Sequence, residues 1–301
     1  MWIIKFRAFF FWLTGLILAG SIGALLFFGL PLSIDFTGGS LVEVEYVAER
    51  PAIPEIQQTV RDAGFSDALV RGSKERGVTV RTHTLEESEK AELLTVLRGG
   101  GDLTELRATT IGPSLGTELA IKSLYALLVV AFVIMLYIAW VFRKVSRPVP
   151  SWGYGFIVIL MLIIDIIVPT GFYAAYAHFT GAQADALFVV ALLALMGYAV
   201  NDVIVIFDRV RENLKKNEEQ NVEEEFEVTV GRSIDETIGR SINTSLTVVL
   251  ALLAIMIFGA EVTRDFALVM LVGVVVGTFS SICRSAPLLV PLAKMFNKEK
   301  A

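Results

Sequence analysis

The chain has one cysteine, Cys283, among its 301 residues. A disulfide within the chain is therefore excluded, and a lone thiol in an apolar run reads as packing. Histidine is almost as scarce, and His83, at the end of a polar strand-like stretch, has no partner ligands for a metal beside it. There is no H-E-x-x-H string and no pair of span aspartates in a G-x-G-D setting, so two intramembrane-protease chemistries lack their residues. No enzyme, cofactor or metal centre is expected. Basic residues are also missing locally: none occurs between His178 and Asp185, and Arg264 stands alone between the last two apolar runs.

What is abundant is apolar chain. Hydrophobic residues make up 54% and charged residues 19%, with a mean hydropathy of +0.65. That balance belongs to a multi-span membrane protein. A helical span needs about 20 apolar residues, and six runs qualify: Ala8 to Leu30, Leu124 to Phe142, Trp152 to Ala177, Ala186 to Phe207, Ile242 to Ala260 and Phe266 to Leu292. The first has no small-residue cleavage site after a short core and reads as a permanent anchor. Lys5 and Arg7 precede it. Arg143, Lys144 and Arg147 lie between the second and third runs, Arg209, Arg211, Lys215 and Lys216 after the fourth, and Lys294, Lys298 and Lys300 after the sixth. The positive-inside rule then puts both termini in the cytoplasm. The expected divisions are a first span at 1–30, an outside segment at 31–118, and a five-span membrane part at 119–301. That last part would include a cytoplasmic loop at 208–239 and a cytoplasmic tail at 293–301. The acidic stretch at 217–227 reads as solvated loop.

The outside segment alternates short elements. "SLVEVEYV" has strand periodicity, "PEIQQTVRDAG" the Pro start and Gly stop of a helix, and "DALVRG" and "GVTVRT" read as strands around a turn at Ser73 to Gly77. "LEESEKAELLTVLRGGG" reads as a second helix and "LTELRATTIG" as a last strand. The order β-α-β-β-α-β is that of a small ferredoxin-like α+β domain inserted between spans one and two. "IDFTGGS" (34–40) precedes it. Without a G-K-[ST] ending and a following helix, its glycines read as a tight turn into the first strand, not as a phosphate loop.

Polar residues inside apolar spans are costly and mark ion or proton paths. Asn201 and Asp202 lie near the cytoplasmic end of the fourth run, Asp165 in the middle of the third, and Arg240 opens the fifth. Arg240, Asn243, Thr244 and Thr247 follow helical spacing, so one polar face of that span is expected to point inward. Asp202 and Arg240 lie at similar depth and are expected to pair, with Asp165 reaching them through water. Either the pair fixes helix register, or proton uptake by Asp202 releases the arginine and changes helix contacts. Arg284 near the last span's end reads as snorkelling. Gly273, Gly277 and Ser281, four apart, form a small-residue packing face.

The chain resembles the SecF family. "IDFTGGS", "IGPSLGTELAIKS", "GYAVNDVIVIFDRVREN", "GRSINTSLT" and "RDFALVMLVGVVVGTFSS" are similar to that family's segments flanking and forming its spans. The resemblance implies a subunit that works with SecD, coupling proton flow to the passage of secreted, unfolded chains through the SecYEG channel in the bacterial inner membrane. YajC, YidC and lipid are further implied partners; nucleic acid is not. It implies that Asp202, Arg240 and Asp165 carry proton transport, with Asn201, Asn243 and Thr244 as supporting polar residues. Two departures stand out: Ile164 precedes Asp165 where the family has His, and Arg284 stands where an apolar residue is expected. A second reading is half of a proton-driven small-molecule exporter of the resistance-nodulation-division superfamily.

Overall fold

In the computed structural model, residues 2–73, 75–143 and 148–298 are described. Lys144, Arg147 and Lys300, three of the basic residues used for orientation, lie outside them, as do Lys74 in the expected turn and the last three residues of the tail. The chain divides into two compact units. One holds 1–30, 125–182 and 187–301; the other holds 31–124 and 183–186.

The first helices are α1 (Trp2–Lys5), α2 (Arg7–Phe28) and the short α3 (Ile34–Thr37). The smaller unit then runs β1 (Gly39–Tyr46), α4 (Ile53–Asp62), β2 (Leu69–Ser73), β3 (Gly77–Thr82), α5 (Glu87–Arg98) and β4 (Leu103–Ile111). Its strands form one four-stranded sheet, in the order β2-β3-β1-β4 with every pairing antiparallel. Alternation decides which side is covered. Val42, Val44 and Tyr46 of β1 and Val78 and Val80 of β3 are buried. They pack with Ile56 and Val60 of α4 and Leu93 and Leu97 of α5. The N-terminus of α5 is closed by a capping box between Glu86 and Glu89.

The "IDFTGGS" segment is held tightly. Ser33 N–H donates to the Ala184 carbonyl at 2.8 Å, and Asp35 Oδ2 accepts the Ala186 N–H at 2.9 Å. Gly38 (φ 73°) and Gly39 (φ 122°) turn the chain into β1 in a region that side chains avoid.

The remaining helices are α6 (Pro113–Val141), α7 (Ser151–Thr180), α8 (Ala186–Glu219), α9 (Phe226–Phe258) and α10 (Glu261–Ser280). A π-helical turn at Ser281–Ser285 then leads into α11 (Ala286–Lys298). Among the described residues, six stretches are long and apolar enough to cross a membrane: α2, α6, α7, α8, α9 and Val262–Phe296. The spans at α7 and α8 are the most buried, which sets them at the centre of their unit. Gly171 of α7 lets α2 come close: a Cβ there would lie 2.6 Å from Ser21 Cα.

One expectation is corrected. The stretch 208–239, read as a loop, is mostly helix: α8 continues to Glu219 and α9 starts at Phe226. Polar pairs bind the two extensions together. Arg209 meets Glu236 at 2.6 Å, Asn213 donates to Ser233 at 3.0 Å, and Arg232 Nη2 donates to Asn217 Oδ1 at 3.0 Å. The acidic stretch 217–227, read as solvated, is mostly exposed, and the pairing involves the helical charges on either side of it.

Gly38→Ala tests the tight turn. A Cβ there would meet Pro113 Cα at 2.6 Å, on top of the positive φ. The variant is expected to lose about 2 kcal/mol or more, read as a lower unfolding midpoint of the detergent-purified chain. Gly112→Ala, at a position with open space, should leave that midpoint nearly unchanged.

Candidate functional site

Asn201 and Asp202 are neighbours on α8 but are turned about 100° apart around the helix. Asn201 is exposed on the flank that also carries Gly197 and Ala194. Asp202 is buried beside Ala199, Val203 and Ile206. Its carboxylate is met by hydroxyls. Ser241 Oγ–H donates to Oδ1 at 2.5 Å, and Ser281 Oγ donates to Oδ2. Hydrogen bonds to the charged form are what make a carboxylate tolerable away from water.

The expected Asp202–Arg240 pair is not formed. Among the described residues no ion pair joins them, and Arg240 is exposed together with Asn243, Thr244 and Thr247. The reason is a second polar stripe on α9, four residues apart: Thr229, Ser233, Thr237, Ser241 and Ser245, all buried. Small hydroxyl residues allow close helix approach and return their protons to carbonyls one turn back, so burying them costs little. Ser233 donates to Thr229 O at 2.7 Å, Thr237 to Ser233 O at 2.8 Å, and Ser245 to Ser241 O at 2.8 Å. The stripe faces α8, where Tyr198 reaches Ser245 at 2.7 Å and Asn217 reaches Thr229 at 3.2 Å. Ser245 also lies 2.5 Å from Thr278 on α10. The spacing is visible in the sequence; the arginine drew attention to the wrong face.

Two further expectations change. Arg284 does not snorkel: it is 3% exposed, and its Nη2 lies 3.3 Å from Oδ1 of Asp165, itself 3% exposed. Asp165 therefore faces an arginine of the last span. Ser281, assigned to packing, touches Asp202. Gly273 and Gly277 do pack: a Cβ on Gly273 would collide with the Leu195 side chain, and one on Gly277 would sit 3.5 Å from Ala199 Cβ. His83 Nδ1 lies 3.0 Å from Asp67 in the smaller unit. The string "GPSLG" (112–116) has the G-x-S-x-G spelling of a hydrolase elbow. Among the described residues no histidine hydrogen-bonds Ser114, and Gly116 serves close contact: its Cβ would lie 2.5 Å from Gly38 N.

With this geometry in place, comparison with known proteins is specific. The family described as "Protein export membrane protein SecD/SecF, C-terminal" matches residues 93–295, and the "SecD/SecF GG Motif" matches 23–48. The protein translocase subunit SecF of Thermobaculum terrenum is 37% identical over 302 residues, covering 96% of this chain and 92% of that protein. The chain belongs to the SecF family. The SecF of Anaerolinea thermophila is also 37% identical, over 267 residues, covering 87% of this chain and 84% of that protein. The crystal structure of SecDF, a translocon-associated membrane protein from Thermus thermophilus, superposes with a TM-score of 0.83 at 30% identity. It covers 96% of this chain, and this chain spans 38% of that one. The GG-motif match covers the Gly38-Gly39 turn, and the C-terminal match covers Asp165, Asp202, Arg240 and Arg284.

Gly273→Ala should separate α8 from α10 by pushing on Leu195, costing about 1–3 kcal/mol. Gly277→Ala should be tolerated, and Leu195→Ala should recover part of the loss when combined with Gly273→Ala. Unfolding midpoints of the four variants in one detergent provide the check.

Proposed function

We propose that the chain is the SecF half of a SecDF protein-export machine and couples proton flow to the translocation of secreted chains through SecYEG. It does so without enzymatic chemistry. Both termini are cytoplasmic, and residues 31–118 form a ferredoxin-like domain on the outer face of the bacterial inner membrane. The basic residues that flank the spans support this orientation.

The observation that carries the reading is the exposed polar stripe of α9. Arg240, Asn243, Thr244 and Thr247 lie on the surface of a helix long and apolar enough to span a membrane. An arginine facing lipid is costly, reaching about 2.5–3.5 kcal/mol at the centre of a span on the lenient insertion scale and less toward its end. A second helical half with a matching acidic residue would remove that cost, and SecD is the partner this predicts. Gly197 and Asn201 on α8 are exposed as well.

In this reading Asp202 is the carboxylate on the proton path and Arg240 is the cation offered to the partner half. Charged Asp202 holds α9 and the π turn through Ser241 and Ser281. Once protonated it binds them more weakly, and the helices can shift. A proton moving through the full membrane potential contributes about 2.3 kcal/mol per 100 mV, so a few protons suffice to move a domain. Asn243 and Thr244 line the contact.

The test is export of a secreted protein in vesicles that contain this chain, SecD and SecYEG, with and without a proton gradient. Asp202→Asn and Arg240→Gln should each abolish the gradient-dependent stimulation while the complex still assembles. Stimulation that survives both substitutions at equal expression would refute the coupling role.

A further inference from the structure

We propose that Asp165 and Arg284 are a positioning pair. They hold the π turn Ser281–Ser285 against α7 in the one setting that brings the Ser281 hydroxyl to Asp202.

The pair is poorly explained as a stabilising ion pair. Both side chains are buried, yet Arg284 Nε has no hydrogen-bond partner among the described residues. A buried pair with unmet hydrogen bonds is on average no more stable than apolar residues of the same volume. Its presence points to geometry.

A π turn carries one residue more per turn than an α-helix and is seldom stable without outside support. Here the support is matched across two helices. Met161 and Asp165 are one turn apart on α7, and Ser280 and Arg284 are one turn apart on the last span. Ser280 Oγ lies 3.3 Å from Met161 Sδ, and Arg284 Nη2 lies 3.3 Å from Asp165 Oδ1. The same nitrogen lies 3.4 Å from the Val276 carbonyl on α10, and the guanidinium sits over the Phe279 ring at 5.5 Å. Ser285 Oγ donates to the Ser281 carbonyl at 2.5 Å. With the turn fixed to α7 at residues 280 and 284, Ser281 is rotated toward α8, where its hydroxyl meets Asp202. A regular helix through the same residues would set Ser281 and Arg284 at a different angle to each other, because the π turn is wider.

Labelling of Asp202 by dicyclohexylcarbodiimide tests this without reference to export, so it stands or falls separately from the coupling reading. The reagent attacks the carboxyl group, and a hydroxyl hydrogen-bonded to that carboxyl competes with the attack. The full chain is labelled in membranes with its partner, and the Asp202 peptide is quantified by mass spectrometry. Ser281→Ala should raise the initial labelling rate about tenfold, the worth of one donor to a charged acceptor. Asp165→Leu combined with Arg284→Met should raise it to a similar degree. Adding Ser281→Ala to that pair should raise it no further, because both changes remove the same bond. A wild-type rate in either parent variant, or effects that multiply when combined, would overturn the proposal. Should the apolar pair fail to insert, Arg284→Lys keeps the charge and shortens the reach. It is expected to label at an intermediate rate, and a wild-type rate there would equally overturn the proposal.

Discussion

A carboxylate inside an apolar helix must be met by donors, or it cannot remain charged there. In this chain the donors for Asp202 are two serine hydroxyls, one from α9 and one from the π turn. Much of the larger unit's polar architecture follows from that requirement. The helix with the carboxylate is central, α9 brings a ladder of small hydroxyl residues to it, and the last span departs from α-helical geometry where it reaches the same site. Serines are suited to this role because each can turn its proton either to the carboxylate or to a carbonyl one turn back.

That solution leaves Arg240 free of Asp202. The helix α9 has two polar stripes on neighbouring faces: the hydroxyl ladder toward α8, and Arg240, Asn243, Thr244 and Thr247 on the exposed side. The first supplies a hydroxyl donor to the buried carboxylate of Asp202. The second gives the chain a surface that suits a helical partner better than lipid. The two stripes overlap along the helix where Arg240 and Ser241 are chain neighbours, so a change in how Ser241 is held would alter the presentation of Arg240. The buried Asp165–Arg284 pair belongs to the first arrangement and has no part in the second.

Much of this was legible in the sequence. The apolar runs place the spans within a few residues, and the alternation in β1 and β3 and the Pro and Gly around α4 identify the elements of the smaller unit. Hydropathy fails at the span ends, where α8 and α9 continue as charged helices; it measures transfer to lipid and says nothing of helices that pair in water. Asp202, Asp165 and Arg240 were recognisable because charge in an apolar run is conspicuous. Their partners were not. Opposite charges at similar depth suggested Asp202 with Arg240, but a helical periodicity gives a face without saying what it faces. The ladder from Thr229 to Ser245 was equally periodic and lacked a charge to draw notice. The π turn left no readable mark, since an extra residue per turn only re-aims side chains that already had helical spacing. Arg284, conspicuous as a departure from the family's apolar residue, was the one trace of it.

The most direct measurement is an electron cryomicroscopy structure of the chain assembled with SecD in lipid, at a resolution that separates side-chain rotamers. The account predicts that Asp202 stays within hydrogen-bonding distance of Ser241 and Ser281, with the Arg240 guanidinium turned to the partner half. An Arg240 side chain folded back onto Asp202, with the α9 stripe facing lipid, would contradict it.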